Sequence, residues 1–177
     1  MARVELIDPD DHPELAELTA RIRGRRDGKV INVYRALLHS PALAESWFEH
    51  INRVRWGTEI DGRLREIVII RLGHLVESAY VLRQHVPRLA ADEGVTEAEC
   101  EALRDWRESD LFDERERAAL AYVDAMTLAI AVPDDVFAPL KAHFSDRRIV
   151  ELTVMIGAYI SHSRVLRALE IDLETDD

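Results

Sequence analysis

The sequence predicts an all-helical fold, and three observations carry that prediction. Apolar residues recur at helical spacing in segment after segment, and serine, threonine and aspartate stand where helices should begin. The period-two alternation of half-buried strands is nearly absent. Glycine and proline number only 7 and 6 and fall mostly between the periodic segments.

Ser40-Pro41 reads as an N-cap followed by proline at the first helical position, opening a helix to about Trp56. Its apolar residues Leu43, Trp47, Ile51 and Val54 recur at helical spacing. Gly57 and the turn Asp61-Gly62 precede a helix over about Arg63 to Glu77, apolar almost all round and therefore expected at the centre of the fold. The β-branched run Ile67 to Ile70 could form a buried strand, but length and the lack of partner strands favour helix. A further helix from Ser78 should end at Gly94, with Pro87 removing one backbone hydrogen bond and kinking it or loosening a turn.

Thr96-x-x-Glu99 and Asp113-x-x-Glu116 are capping boxes for the next two helices. Ala118, Tyr122, Ala125, Met126 and Ala129 line the apolar side of the second. Pro133-Asp134 breaks it, and a short segment to Phe144 leads to Ser145, the expected cap of a last long helix to about Leu169. The acidic stretch from Glu170 is expected to fray. The segments containing His85 and His162 share a charged start, an apolar helix and a late histidine, consistent with two similar helical halves.

The chain's 177 residues suffice for one domain with a sizeable core. The longest dense apolar stretch, Ile67 to Ile70, stops at Arg71, well short of the roughly 18 residues a membrane span needs. No basic head followed by an apolar core marks the N-terminus, so the expectation is a cytoplasmic protein with no membrane partner. A net charge of -11 opposes non-specific nucleic-acid binding. The basic cluster Arg21, Arg23, Arg25, Arg26 and Lys29 reads as a solvated helix end and loop rather than a phosphate patch. The single cysteine, Cys100, excludes an intrachain disulfide. Its acidic neighbours oppose thiolate formation, so it reads as inert.

Glu66 is the first candidate for chemistry. A carboxylate placed directly before Ile67-Val68-Ile69-Ile70 must be paired, or rise in pKa and keep its proton. Arg63 or a neighbouring arginine of the same helix would supply an ordinary ion pair. His85, beside the Val86-Pro87 step, can act as a general acid or base near neutrality, or lie on a helix surface. Tyr80, about 140° from His85 around an ideal helix, could donate to a developing oxyanion, or be an ordinary buried tyrosine. His74-x-x-Glu77 has a spacing too common to establish a metal site, and no metal is expected.

The stretch Arg63 to Leu103 resembles the carboxymuconolactone decarboxylase-like family, which includes alkylhydroperoxidase D. The similarity extends more loosely over residues 35–170. The resemblance implies an alkylhydroperoxidase D-like helical bundle over 35–170, with residues 1–34 a helical extension and 171–177 an acidic tail. It also implies a homo-oligomer, whether dimer, trimer or hexamer. Redox members carry a glutamate, then Cys-x-x-Cys beginning twelve residues later, a tyrosine before the second cysteine and a histidine four after it. Counted from Glu66, the cysteine positions hold Ser78 and Val81, while Tyr80 and His85 occupy the tyrosine and histidine positions. In redox members the glutamate and histidine are thought to form a proton relay to the thiol. Here the relay residues remain and both thiols are gone, so the family's dithiol reduction of peroxides is disfavoured.

The resemblance then implies the decarboxylase branch, a cofactor-independent lyase on a small carboxylated or lactone substrate. Glu66, His85 and Tyr80 would be catalytic, with Ser78, Val81, His162 and Arg164 around the substrate. Arg164 could bind a carboxylate or form a structural ion pair, and Arg71 and His74 carry a similar ambiguity. A non-catalytic, oligomeric binding role is the principal alternative.

Overall fold

The computed structural model describes residues 1–129 and 131–174; residues 175–177 of the expected tail lie outside them. Among the described residues the chain is helical throughout, with no strand. The helices are α1 (Ala16–Arg23), α2 (Asn32–Leu37), α3 (Pro41–Trp56), α4 (Gly62–Leu75), α5 (Ala79–Gln84), α6 (Ala90–Asp92), α7 (Glu97–Ala102), α8 (Glu114–Leu128), α9 (Asp134–His143) and α10 (Asp146–Ala168). A π-helical turn, His85–Leu89, joins α5 to α6. The chain forms two compact units, one from Met1–Arg53 with the stretch after Val165, the other from Val54–Arg164.

In the first unit Leu15, Leu38 and Ala44 form a small core, covered by Ile7, Leu18, Val30 and Leu37. The expected stripe of α3 holds at Ile51 and Val54, which are buried, and is one residue off in the first turns: Leu43 is 51% exposed and Trp47 half-buried, whereas Ala44 and Phe48 are buried, because the buried stripe there follows Phe48. The stretch after α10 is not frayed as far as it is described. Ala2 N donates to Asp172 Oδ2 (2.8 Å), Arg3 N to the Leu169 carbonyl (2.8 Å) and Asn32 Nδ2 to the Asp172 carbonyl (3.1 Å). The basic cluster is ion-paired at its helical end, Arg21 with Glu45 and Glu49 and Arg23 with Asp10.

In the second unit α4 is central, as its composition requires. Every residue from Leu64 to Gly73 is buried. Asp61 caps it, accepting from Leu64 N at 2.9 Å. Helix α4 packs against α8 and α5, and α8 in turn against α9. Ile67 and Ile70 meet Ala90, Val95, Leu103, Trp106, Phe112 and Leu120 in the main core. Both capping boxes form, at Thr96 and at Asp113. Helix α8 departs from the expected stripe: Ala119, Leu120 and Val123 are fully buried beside Ala118 and Tyr122, while Ala129 is exposed beyond the helix end. Contact with α4 on one side and α9 on another buries more than one face.

Ser145 caps α10, its Oγ accepting from Arg148 N at 3.3 Å. Among the described residues α10 alone has the length and composition of a membrane span, which a search for uninterrupted apolar runs does not anticipate. Its Leu152, Met155 and Ile156 are wholly buried in the protein.

Candidate active site

Glu66 leaves the first turns of α4 and has no solvent exposure. The Pro87 effect expected from sequence takes the form of the π-turn His85–Leu89, which widens the helix where proline has no N–H to give. His85 opens that turn and is 4% exposed. Its Nδ1 lies 2.5 Å from Glu66 Oε2, so two residues singled out separately in the sequence form one buried pair.

The other carboxylate oxygen faces arginines. Glu66 Oε1 accepts from Arg65 Nε at 3.2 Å and from Arg55 Nη2 at 3.4 Å. Arg65 is further held by the Arg55 carbonyl (Nη1, 3.0 Å) and by Glu93 Oε1 (Nη2, 2.5 Å). The ion-pair partner from the same helix is therefore Arg65. Arg63 turns elsewhere, to Glu116 (2.7 Å), Glu99 (2.5 Å) and the Gly94 carbonyl (2.8 Å).

These contacts set the protonation state. Burial alone would raise the Glu66 pKa, but the His85 hydrogen bond and the charges of His85, Arg55 and Arg65 outweigh it and hold the carboxyl below its usual range. Burial pushes the His85 imidazole down; the Glu66 bond and charge oppose that, Arg55 and Arg65 reinforce it, and the net direction is downward. Glu66 is thus ionised and His85 neutral at pH 7. The ring donates Nδ1–H to the carboxylate, which leaves Nε2 as the basic nitrogen.

Tyr80 is buried on α5, 5% exposed. Ser78 is also buried and caps α5, its Oγ accepting from Val81 N at 3.4 Å. Val81 is 2% exposed and faces Gly73, where an added Cβ would come within 3.3 Å of Val81 Cγ1. Both positions counted as cysteine sites in the redox pattern therefore serve the α4–α5 junction. The ring that stands edge-on to His85 is Tyr159 of α10, at 5.7 Å between centroids. His162 follows, 6.0 Å from Tyr159. The late histidines of the two similar segments are thus linked through one tyrosine. Arg164, two residues on, is solvent-exposed.

Sequence reasoning missed Arg55, Glu93 and Tyr159 and gave Arg65 only a generic place. Tyr159 carried a faint signal, its i, i+3 spacing from His162 on one helix face. Arg71 and His74 have structural partners: Arg71 Nε donates to Asp124 Oδ1 (2.6 Å), and His74 Nε2 lies 3.1 Å from the Cys100 carbonyl. Among the described residues no group of three or more His, Cys, Asp or Glu side chains is placed to share a metal ion. Cys100 is buried. Burial first, then the charges of Glu99 and Glu66, raises its pKa.

The sequence pattern of the carboxymuconolactone decarboxylase family matches residues 41–125, a span that includes Glu66, Ser78, Tyr80, Val81 and His85. The uncharacterized protein YnjA of Escherichia coli is 38% identical over 71 residues, 40% of this chain; the match spans 39% of YnjA's own length. A protein of unknown function from Agrobacterium tumefaciens, provisionally assigned to antioxidant defence as AhpD, is 32% identical. The similarity covers 82% of this chain and 98% of that one, with a TM-score of 0.73. The debrominase Bmp8, solved with 2,3,4-tribromopyrrole, shares the fold at 20% identity, covering 99% of this chain and 95% of its own, with a TM-score of 0.81.

Proposed function

We propose that this chain, which belongs to the carboxymuconolactone decarboxylase family and has AhpD-like structural relatives, is an acid–base lyase acting on a small carboxylated or lactone substrate. One observation carries the reading: the buried 2.5 Å contact between His85 and an ionised Glu66. That arrangement favours His85, not Glu66, as the residue that moves protons. Glu66 is held too acidic to carry a proton at neutral pH, whereas its charge stabilises the imidazolium each time His85 Nε2 takes one up.

Decarboxylation breaks a C–CO2 bond whose electron pair passes into a conjugated carbonyl, leaving an enolate. A proton must then reach carbon. In this reading His85 acquires that proton from water at Nε2 and delivers it to the substrate, and the Nδ1–H bond to Glu66 fixes the ring throughout. The dithiol alternative loses ground on three positions at once: Ser78 caps a helix, Val81 lies in the packed interior, and the Cys100 thiol is buried with a raised pKa.

The test is turnover across a panel of lactones, β-keto acids, aromatic acids and peroxides. Glu66→Gln and His85→Ala are each expected to abolish carbon dioxide release while the fold persists. Full activity in either variant, or consumption of peroxides alone, overturns the reading.

A further inference from the structure

We infer that the first unit carries a binding site for a small, singly charged carboxylate with an apolar body, in a cavity between the end of α1 and the face of α3. The inference stands apart from the lyase reading, because every residue lining this cavity belongs to the first unit and Glu66 and His85 belong to the second.

The cavity has a volume of about 430 Å³, the size of a small-molecule site and more than a lone carboxylate fills. Helix α3 lines it with two pairs of residues, each pair four apart and so on one helix face: Phe48 with Asn52, and Glu49 with Arg53. Opposite stand the last turn of α1, with Ala20 and Arg21, and the two residues that follow it, Gly24 and Arg25. Three arginines against one glutamate make this a cationic place on a chain whose net charge is -11.

The charges are not equally engaged. Arg21 pairs with Glu45 and Glu49, Arg23 with Asp10, and Arg26 donates to the Tyr34 hydroxyl at 3.3 Å. Arg53 has Glu49 one turn before it, yet that carboxylate is turned to Arg21 at 2.8 Å. The side chains of Arg25 and Arg53 therefore have no ion pair or hydrogen bond among the described residues. Arg25 is nonetheless held in place by its backbone: its N–H donates to the Ile22 carbonyl (3.0 Å), and its carbonyl accepts from Arg26 Nη1 (2.9 Å).

Asn52 is uncommitted too. Its Oδ1 is buried without a hydrogen-bond partner among the described residues, which is a cost to the fold, and with that oxygen turned inward the amide offers its N–H2 to the cavity. Two guanidiniums and an amide are all donors, so the ligand must accept, and a carboxylate suits the planar fork of an arginine. A doubly charged phosphate would meet more repulsion from Glu49. The apolar body has Ala20 and the ring of Phe48 to lie on, and Phe48 is fixed edge-on to Tyr34 at 5.8 Å between centroids.

The experiment titrates the full chain with hydrocinnamate and follows the Asn52 side-chain amide and the Arg25 and Arg53 Nε–H resonances by nuclear magnetic resonance. All three should shift together, with a Kd of about 1 mM or tighter. Acetate lacks the body, hydrocinnamyl alcohol lacks the charge and phenyl phosphate carries two; each should bind at least about 5-fold more weakly. Arg25→Gln and Arg53→Gln should each weaken hydrocinnamate by about 5- to 10-fold. Asn52→Leu should weaken it as well while leaving the melting temperature unchanged or higher, because the unmet oxygen goes; an asparagine kept for the fold would lower it. Gly24→Leu should block the cavity without strain, since φ there is -61° and an added Cβ meets nothing nearer than 3.5 Å. Unmoved resonances at about 10 mM hydrocinnamate, a site this size being expected to saturate there, overturn the inference. So does wild-type affinity in both arginine variants, or equal binding of the alcohol.

Discussion

His85 Nδ1 and Glu66 Oε2 lie 2.5 Å apart as a buried pair, and both groups bind protons less readily there than in an unfolded chain. The two shifts act on stability in the same direction. An unfolded histidine titrates near 6.5, above its folded value, so stability is complete above that pH and falls as acid protonates the unfolded state. Glu66 adds stability that is present above about 4.5 and is lost as pH drops through its lower folded value. The urea midpoint should begin to fall below about pH 6.5. His85→Gln should remove the upper part of that fall; an identical slope in the variant would contradict the protonation state assigned here.

Turnover should show an alkaline limb, falling as pH rises through a midpoint below the ordinary histidine range, because the His85 imidazolium is the form that delivers the proton. Glu66 raises the His85 pKa against burial. In any Glu66→Gln protein with residual rate, that limb should therefore move to lower pH. A limb displaced to higher pH would reverse the assigned roles.

Asp124 accepts from Arg71 Nε (2.6 Å) and Trp106 Nε1 (3.1 Å) and also pairs with Arg107, while Arg71 Nη1 reaches the carbonyls of Leu103 and Arg104. Asp124→Ala leaves the Arg71 charge buried and unpaired, and should cost about 3–5 kcal/mol by chemical denaturation. Replacing Arg71 and Asp124 together by Met and Leu should recover much of that loss.

Cys100 is 3% exposed, and its pKa is raised by burial and then by Glu99. Iodoacetamide should label it slowly in the native protein at neutral pH and rapidly in urea. Fast native labelling would reopen thiol chemistry.

Gly94 follows α6 with φ of +74°, and its carbonyl accepts from Arg63 at 2.8 Å. Gly94→Ala should destabilise by roughly 1–2 kcal/mol, the cost of left-handed backbone in an L-residue. Calorimetric melting checks it.

What the sequence made legible was chiefly what is local. The boxes at Thr96 and Asp113 form as read because their partners lie three residues away. The burial of α4 was readable from a helix with no polar face. Glu66 and His85 were joined only through a family spacing, since 19 residues separate them along the chain. Arg55 and Glu93 were out of reach, because each enters from a different part of the chain and nothing in its immediate neighbours marks it; Tyr159 was marked only by its spacing from His162. The same limit put Arg63 beside Glu66 on paper, whereas two acidic residues from α7 and α8 claim it. Leu43 misled for another reason: a large apolar side chain was taken to face inward, and the smaller Ala44 does so instead.

The π-turn gives this arrangement a tolerance of its own. Val81, His85 and Ala90 are buried at spacings of four and then five, so the segment carries one residue more than a regular helix would need. That surplus uncouples two phases. The rotation upstream is set by the histidine meeting its carboxylate, and the rotation downstream by an alanine seated in the main core. Neither has to compromise for the other. Evolution could thus retune the histidine end of the segment while the end seated in the core stayed in place, with Pro87 standing at the point of slippage.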